Sequence, residues 1–177
     1  MSFPVIPILR TERLILRAPE LEDFEPYAAF MAGGRAGFVG GPLTRRDAWR
    51  SFAGVLGHWG LRGFGRWMAV EREGDRPAGL VGLHFPESWP EPEIAWTVFD
   101  GFEGRGLAFE AARCVRDHVF EAMGWRRVIS LIHRENARSA ALATRLGAVA
   151  ESTLVHPDFG EMIVWRHTPG AEAAADG

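Results

Sequence analysis

The chain has 177 residues, 47% hydrophobic and 24% charged, with a formal net charge of −3; this suits one globular domain with no electrostatic pull toward nucleic acid or an anionic membrane. A single cysteine, Cys114, rules out an intrachain disulfide and a multi-cysteine zinc site. No apolar run approaches the ~20 residues that span a bilayer, and the opening MSFPVIPILR is too short and proline-broken for a secretory signal, so a cytoplasmic location is the default expectation.

Thr11 to Arg17 alternates apolar and polar residues and predicts a strand. Pro19 then starts a predicted helix through Leu21, Phe24, Tyr27, Ala28 and Met31, spaced for one buried face. A glycine-rich loop follows, with Gly33, Gly34, Gly37, Gly40 and Gly41. Thr44, with Asp47 three residues on, marks a second helix start; this helix carries Ala48, Phe52, Val55, Leu56 and Trp59 and ends near Gly60 or Gly63. Arg66 to Glu73 and Pro77 to Phe85 read as a hairpin turning at Gly74-Asp75. A proline-rich loop, Pro86 to Pro92, leads to a fourth strand, Glu93 to Phe99.

The turn DGFEGRG opens the strongest helix, roughly Leu107 to Met123, with an inward stripe of Ala108, Ala111, Ala112, Val115, Val119 and Phe120 and a fitting cap at Gly124. Val128 to Ile132 is a short buried strand. Asn136 can cap a helix with Ala140, Leu142, Ala143 and Leu146 as its apolar positions, stopped by Gly147. Ala148 to Val155 and Glu161 to His167 fit two last strands, and the polar tail from Pro169 onward is expected to be disordered. The order β-α-α-β-β-β-α-β-α-β-β predicts a single α/β (α+β) domain over 1–168, with a mixed sheet of about seven strands and about four helices on both faces.

The segment with the most chemical content is EGRGLA, Glu103 to Ala108, between a strand and a helix. Glycines at 104 and 106 permit positive φ and leave no side chain in a ligand's way. The first amides of the next helix lack internal partners, and the dipole makes that end electropositive. The result is a cradle for phosphate or pyrophosphate, to which Arg105 adds a charge unless it faces solvent. Neither a G-K-[ST] ending nor a G-x-G-x-x-G is present. A plain strand–turn–helix connection is the alternative reading of these residues alone.

The series EIAW, EGRGLA, EAAR, RVISLI and ENARSAALATRLGA resembles the GNAT acetyltransferases, most closely the branch that includes the ribosomal-protein N-terminal acetyltransferases. The likeness runs from TERLILR to the final strand. The family's acyl-CoA loop, (R/Q)-x-x-G-x-(G/A), is matched at Gly106 and Ala108, whereas Glu103 stands where Arg or Gln is usual. Asn136 and Ser139 match the family's N-x-x-S. The resemblance implies a mostly antiparallel sheet splayed between its fourth and fifth strands. It also implies that acetyl-CoA lays its pyrophosphate on Gly104, Arg105, Gly106, Leu107 and Ala108, while its pantetheine pairs with the strand carrying Trp96, Val98 and Phe99. Asn136 would contact that arm and Ser139 would lie near the sulfur.

The implied reaction is acetyl transfer to a primary amine, a protein N-terminus or a small molecule, by direct attack in a ternary complex. It needs a base, a polarised thioester carbonyl and a proton for the leaving thiolate. Glu93 is the candidate base, the alternative being a solvated strand-end carboxylate, and a backbone amide near Val98 is the candidate oxyanion donor. Relatives often protonate the thiolate with a tyrosine after the fifth strand. The single tyrosine here, Tyr27, lies in the first helix, so Ser139 or water is left for that role. His84, His133 and His156 are further possible bases; no histidine pair has metal-ligand spacing, so no metal is expected. Cys114 reads as an inert buried thiol. Phe38, Trp89 and Trp96 could wall an acceptor pocket between the glycine-rich and proline-rich loops, and Glu87, Glu91 and Glu93 would favour a cationic amine at its mouth. A GNAT-fold module that binds acyl-CoA without turnover, and a nucleotide-binding domain, are the rival readings. An edge strand would allow a homodimer.

Overall fold

The structure is a computed structural model, and it describes residues 4–170. The expected disordered tail therefore lies outside the described residues, apart from Pro169 and Gly170, which form a turn. All strands join one eight-stranded sheet, in the order β1-β2-β3-β4-β5-β6-β8-β7. The strands are β1 (Leu9–Arg10), β2 (Leu14–Arg17), β3 (Arg66–Glu71), β4 (Arg76–His84), β5 (Glu93–Val98), β6 (Val128–His133), β7 (Val149–His156) and β8 (Gly160–His167). The helices are α1 (Phe24–Ala32), α2 (Arg45–Arg62), α3 (Leu107–Asp117) and α4 (Ala137–Arg145).

This is the predicted architecture with one extra strand. The alternating Thr11–Arg17 segment is interrupted by a turn, in which the Thr11 N–H donates to the Leu14 carbonyl at 2.9 Å. β1 therefore precedes it as a separate short strand that pairs Leu9 with Leu16. The first helix also starts later than Pro19 suggests. The Asp23 carboxylate, fully buried, accepts from the Glu20 N–H at 2.8 Å and from the Arg17 guanidinium at 2.7 and 2.9 Å. That network fixes a 3₁₀ turn over Leu21–Asp23, so α1 begins at Phe24 and Leu21 is left exposed.

The remaining helix ends follow their capping residues. Thr44 Oγ1 accepts the Asp47 N–H at 3.2 Å to start α2, and Gly63, at φ 77°, ends it. The glycine-rich loop contains a 3₁₀ turn, Gly34–Val39. α3 buries Leu107, Ala111, Ala112 and Val115, then continues as a π turn over His118–Ala122 in which Val119 stays buried. Each of its large aliphatic side chains contributes roughly 1.5–3 kcal/mol by leaving water. Ala108, expected on this inward stripe, instead faces a cleft.

Two cores flank the sheet. On one face Leu14, Trp67, Val81, Ile94 and the α3 stripe pack together. On the other, Tyr27, Phe30, Phe52, Met68, Leu80 and Phe99 pack under α1 and α2. Every strand pair is antiparallel except β5 with β6, which run parallel and meet at one register position, Glu93 opposite Ile129. From Ala95 onward β5 therefore has β4 on one side and no strand on the other. No helix among the described residues is long and apolar enough to cross a membrane.

Candidate active site

The gap between β5 and β6 is the origin of the site. Residues of an antiparallel strand present their backbone N–H and C=O groups to alternate sides. The Phe99 N–H donates to Ala78 of β4 at 2.8 Å, whereas the Ile94 carbonyl accepts the Ser130 hydroxyl at 2.7 Å on the opposite side. By this alternation Trp96 and Val98 turn their backbone groups into the gap. There the Val98 carbonyl accepts from Arg35 Nη2 at 3.3 Å.

A cavity of about 880 Å³ opens along this edge. Trp96, Val98, Gly104, Gly106, Leu107, Ala108, Asn136 and Ser139 line it, eight of the sequence-predicted positions brought together. Gly106 is the N-cap of α3, at φ 76°, with no side-chain cap on the helix amides. Arg35, Arg138 and Arg145 also line the cavity. An uncapped helix start plus guanidinium groups fits a polyanionic ligand such as the pyrophosphate of CoA, and the open β5 edge fits an extended amide-bearing arm.

Phe99 and Arg105 do not join this lining. Phe99 is buried in the α1–α2 core. The Arg105 side chain leaves the loop to pair with Glu71, while its carbonyl accepts from Arg13 Nη1 at 2.8 Å. Glu103 stays on the rim, 3.7 Å from Arg35, which also pairs with Asp100 at 2.5 Å. Hydrogen bonds from its own and neighbouring backbone, with the Arg35 charge, hold the Glu103 carboxyl below the usual range.

The cleft continues past Ser139 and Trp96 into a narrower cavity of about 110 Å³, walled by Phe38, Trp89 and Trp96 and containing Glu93. Glu93 is 5% exposed, so it is not a solvated strand-end carboxylate. Trp89 Nε1–H donates to one carboxyl oxygen at 2.7 Å and the Leu131 N–H to the other at 2.8 Å. Both bonds favour the ionised form, but burial outweighs them and pushes the Glu93 pKa up to about 7.

Ser139 stands at the junction of the two cavities. Its hydroxyl oxygen accepts the Trp96 indole N–H at 3.2 Å, and its backbone N–H is held by the Asn136 side chain at 3.2 Å. The hydroxyl donates to no other described residue. Tyr27 lies far from this role, since its hydroxyl shares a 2.7 Å hydrogen bond with Ser51 beneath α1 and α2.

Of the histidines, His84 and His133 line the narrow cavity. Burial, with Arg66 and His58 nearby, pushes the His84 pKa down to about 2, leaving it neutral. His156 is buried, bonded to Ser88 at 3.1 Å and packed on Trp89. Cys114 is half-buried, and burial pushes its thiol pKa up. No group of three or more metal-binding side chains occurs among the described residues. Glu91 does not reach the cavity; Arg166, at 2.7 and 2.8 Å, and Arg127, at 3.1 Å, hold it.

Arg66 and Phe159 also line the narrow cavity, and sequence reasoning missed both. Arg66 opens a strand and Phe159 sits in a hairpin turn, positions with no local signal of a shared site.

Residues 13–149 match the model of the acetyltransferase (GNAT) domain. An acetyltransferase from Agrobacterium tumefaciens is 35% identical and superposes with a TM-score of 0.84, over 94% of this chain and 97% of its own. Two more distant structures share the fold. The ribosomal α-N-protein acetyltransferase RimL in complex with coenzyme A is 16% identical, with a TM-score of 0.73 over 94% of this chain and 100% of its own. A ribosomal-protein alanine acetyltransferase from Vibrio fischeri is 16% identical, with a TM-score of 0.72 over 93% and 98%. The chain belongs to the GNAT acetyltransferase family.

Proposed function

We propose that the protein transfers the acetyl group of acetyl-CoA to a primary amine by direct attack in a ternary complex, with Glu93 as the general base. The observation that carries this reading is a carboxyl of pKa about 7, buried where the narrow cavity meets the open edge of β5. A base poised near neutral pH is what deprotonation of an entering amine requires.

In this reading the phosphates of CoA lie on the amides after Gly104, with Arg35, Arg138 and Arg145 around them. The pantetheine arm runs along the backbone of Trp96 and Val98, and Asn136 and Ser139 meet its thiol end. The amine nitrogen attacks the thioester carbonyl carbon, and its proton passes to Glu93. The carbonyl oxygen gains charge and is met by an inward amide of β5 near Val98. The carbon–sulfur bond breaks, and the thiolate takes a proton from water beside Ser139, or through the Ser139 hydroxyl as water reprotonates it, while the proton on Glu93 returns to solvent. Arg105 contributes its backbone, because its guanidinium is held by Glu71.

Release of CoA thiol from acetyl-CoA across a broad amine panel tests the proposal. Amine-dependent release with a matching acetylated product is expected. Tight acetyl-CoA binding with no release for any amine would leave an acyl-CoA-binding module.

A further inference from the structure

The narrow cavity holds one charge that acetyl transfer does not use. Arg66 lines it together with Glu93, His84, Trp89 and Trp96. The backbone of Arg66 is fixed: its carbonyl accepts the Trp59 indole N–H at 3.0 Å, and it pairs in register with Gly82. A Cβ at Gly82 would come within 2.6 Å of the Arg66 Cα, so only glycine allows β4 this close.

Three arginines near the cleft are held by carboxylates: Arg35 by Asp100, Arg105 by Glu71 and Arg166 by Glu91. Arg66 makes no side-chain hydrogen bond or ion pair with any described residue. Glu93 feels its charge, but the Glu93 oxygens accept from Trp89 and Leu131 and not from the Arg66 guanidinium. His84 is neutral beside it.

A half-buried guanidinium with no hydrogen-bonded counter-ion is costly, and its planar fork of N–H donors matches a carboxylate bidentately. We infer that Arg66 receives a carboxylate of the acceptor, so the acceptor is a small amine that itself carries a carboxylate, an amino acid being the simplest case. The inference rests on the reading of this cavity as the acceptor site.

Charge supports it in two ways. A fixed cation penalises a bare ammonium entering the cavity, so a purely cationic amine is disfavoured. An acceptor with its own carboxylate cancels that penalty at Arg66 and presents its amine toward Glu93. The Arg66 charge also favours the neutral, nucleophilic form of that amine. The cavity, about 110 Å³ with aromatic walls, suits a small molecule.

Matched pairs of amino acids and their carboxamides, glycine with glycinamide and phenylalanine with phenylalaninamide, test the inference. Turnover is measured with acetyl-CoA, and binding by calorimetry to CoA-saturated protein. The acid should exceed its amide by roughly tenfold or more in kcat/KM, as expected for one charge-assisted contact. This should hold although the amide's less basic amine is more fully deprotonated at neutral pH. In Arg66→Gln that ratio should collapse to one or below, while CoA still raises the melting temperature. A wild-type ratio of one or less, a ratio unchanged in Arg66→Gln, or no binding of either partner overturns the inference. Should Arg66→Gln fail to fold, the wild-type ratio decides. If acids bind through Arg66 but no acetyl group moves, the transfer reading fails and this one stands; if acids and amides are acetylated equally, the reverse holds.

Discussion

The indole N–H of Trp89 donates to the carboxyl of Glu93 at 2.7 Å, so the proline-rich loop bears on the protonation of the residue that opens β5. That bond lowers the Glu93 pKa against the burial that raises it. Trp89→Phe keeps the ring packing on His156 and Phe159 and removes the donor. The acidic limb of the kcat/KM profile should then move up by about one pH unit, the worth of one hydrogen bond to a charged group. An unmoved limb in a folded variant would separate Trp89 from the titration.

Glu93→Gln should lower kcat by about 10²–10⁴, with CoA affinity unchanged because Glu93 does not line the larger cavity. The profile should also lose its inflection near pH 7. Full activity would mean another group takes the proton.

The same variant has a thermodynamic signature. The folded pKa of Glu93, about 7, lies above its ordinary 4.5, so the fold binds this proton more tightly than the unfolded chain does. Stability from this group is present at pH below 4.5 and is lost as pH rises through about 7. Glu93→Gln has no such titration. Relative to wild type it should gain on the order of 3 kcal/mol between about pH 5 and 8. Denaturant melts at both pH values measure this, and a constant difference would contradict the buried titration.

Gly106→Val should abolish CoA binding while the fold persists. Gly106 adopts φ 76°, where a β-branched residue is strained. A Cβ there meets only Arg13 Nη2, at 3.4 Å, so the main obstruction falls on a ligand over the α3 amides. Unchanged affinity in a folded protein would place the phosphates elsewhere.

Glu103→Gln should leave CoA affinity equal or slightly higher, most visibly at low salt. Two unit charges ~8 Å apart interact by about 2 kcal/mol at an effective dielectric of ~20, less with screening. Arg35 loses one partner in this variant and keeps Asp100. Tenfold weaker binding, by calorimetry across a salt series, would mean the Glu103–Arg35 pair holds the rim in shape.

Beside the candidate roles of Glu93 and Ser139, which the family resemblance implied, the sequence by itself determined the order of the main elements, the Thr44 and Asn136 caps, and the loop and helix start at 104–108. These are local matters, of periodicity, turn chemistry and short motifs, in which neighbours along the chain carry the physics. The split of the first strand and the late start of α1 depended on side chains reaching the backbone, Thr11 at Leu14 and Asp23 at Glu20, which apolar spacing does not register. Only the tertiary structure decided the state of the charges. Glu103 is joined to Arg35, Arg105 to Glu71, and Glu91 to Arg166, so the acidity expected at the cavity mouth from Glu91 is neutralised by a partner 75 residues away. Arg66 is left without such a partner. Burial and pairing are properties of distances between segments far apart in sequence, and in a low-dielectric cleft they fix which carboxyl has its pKa raised and which arginine has no ion-pair partner.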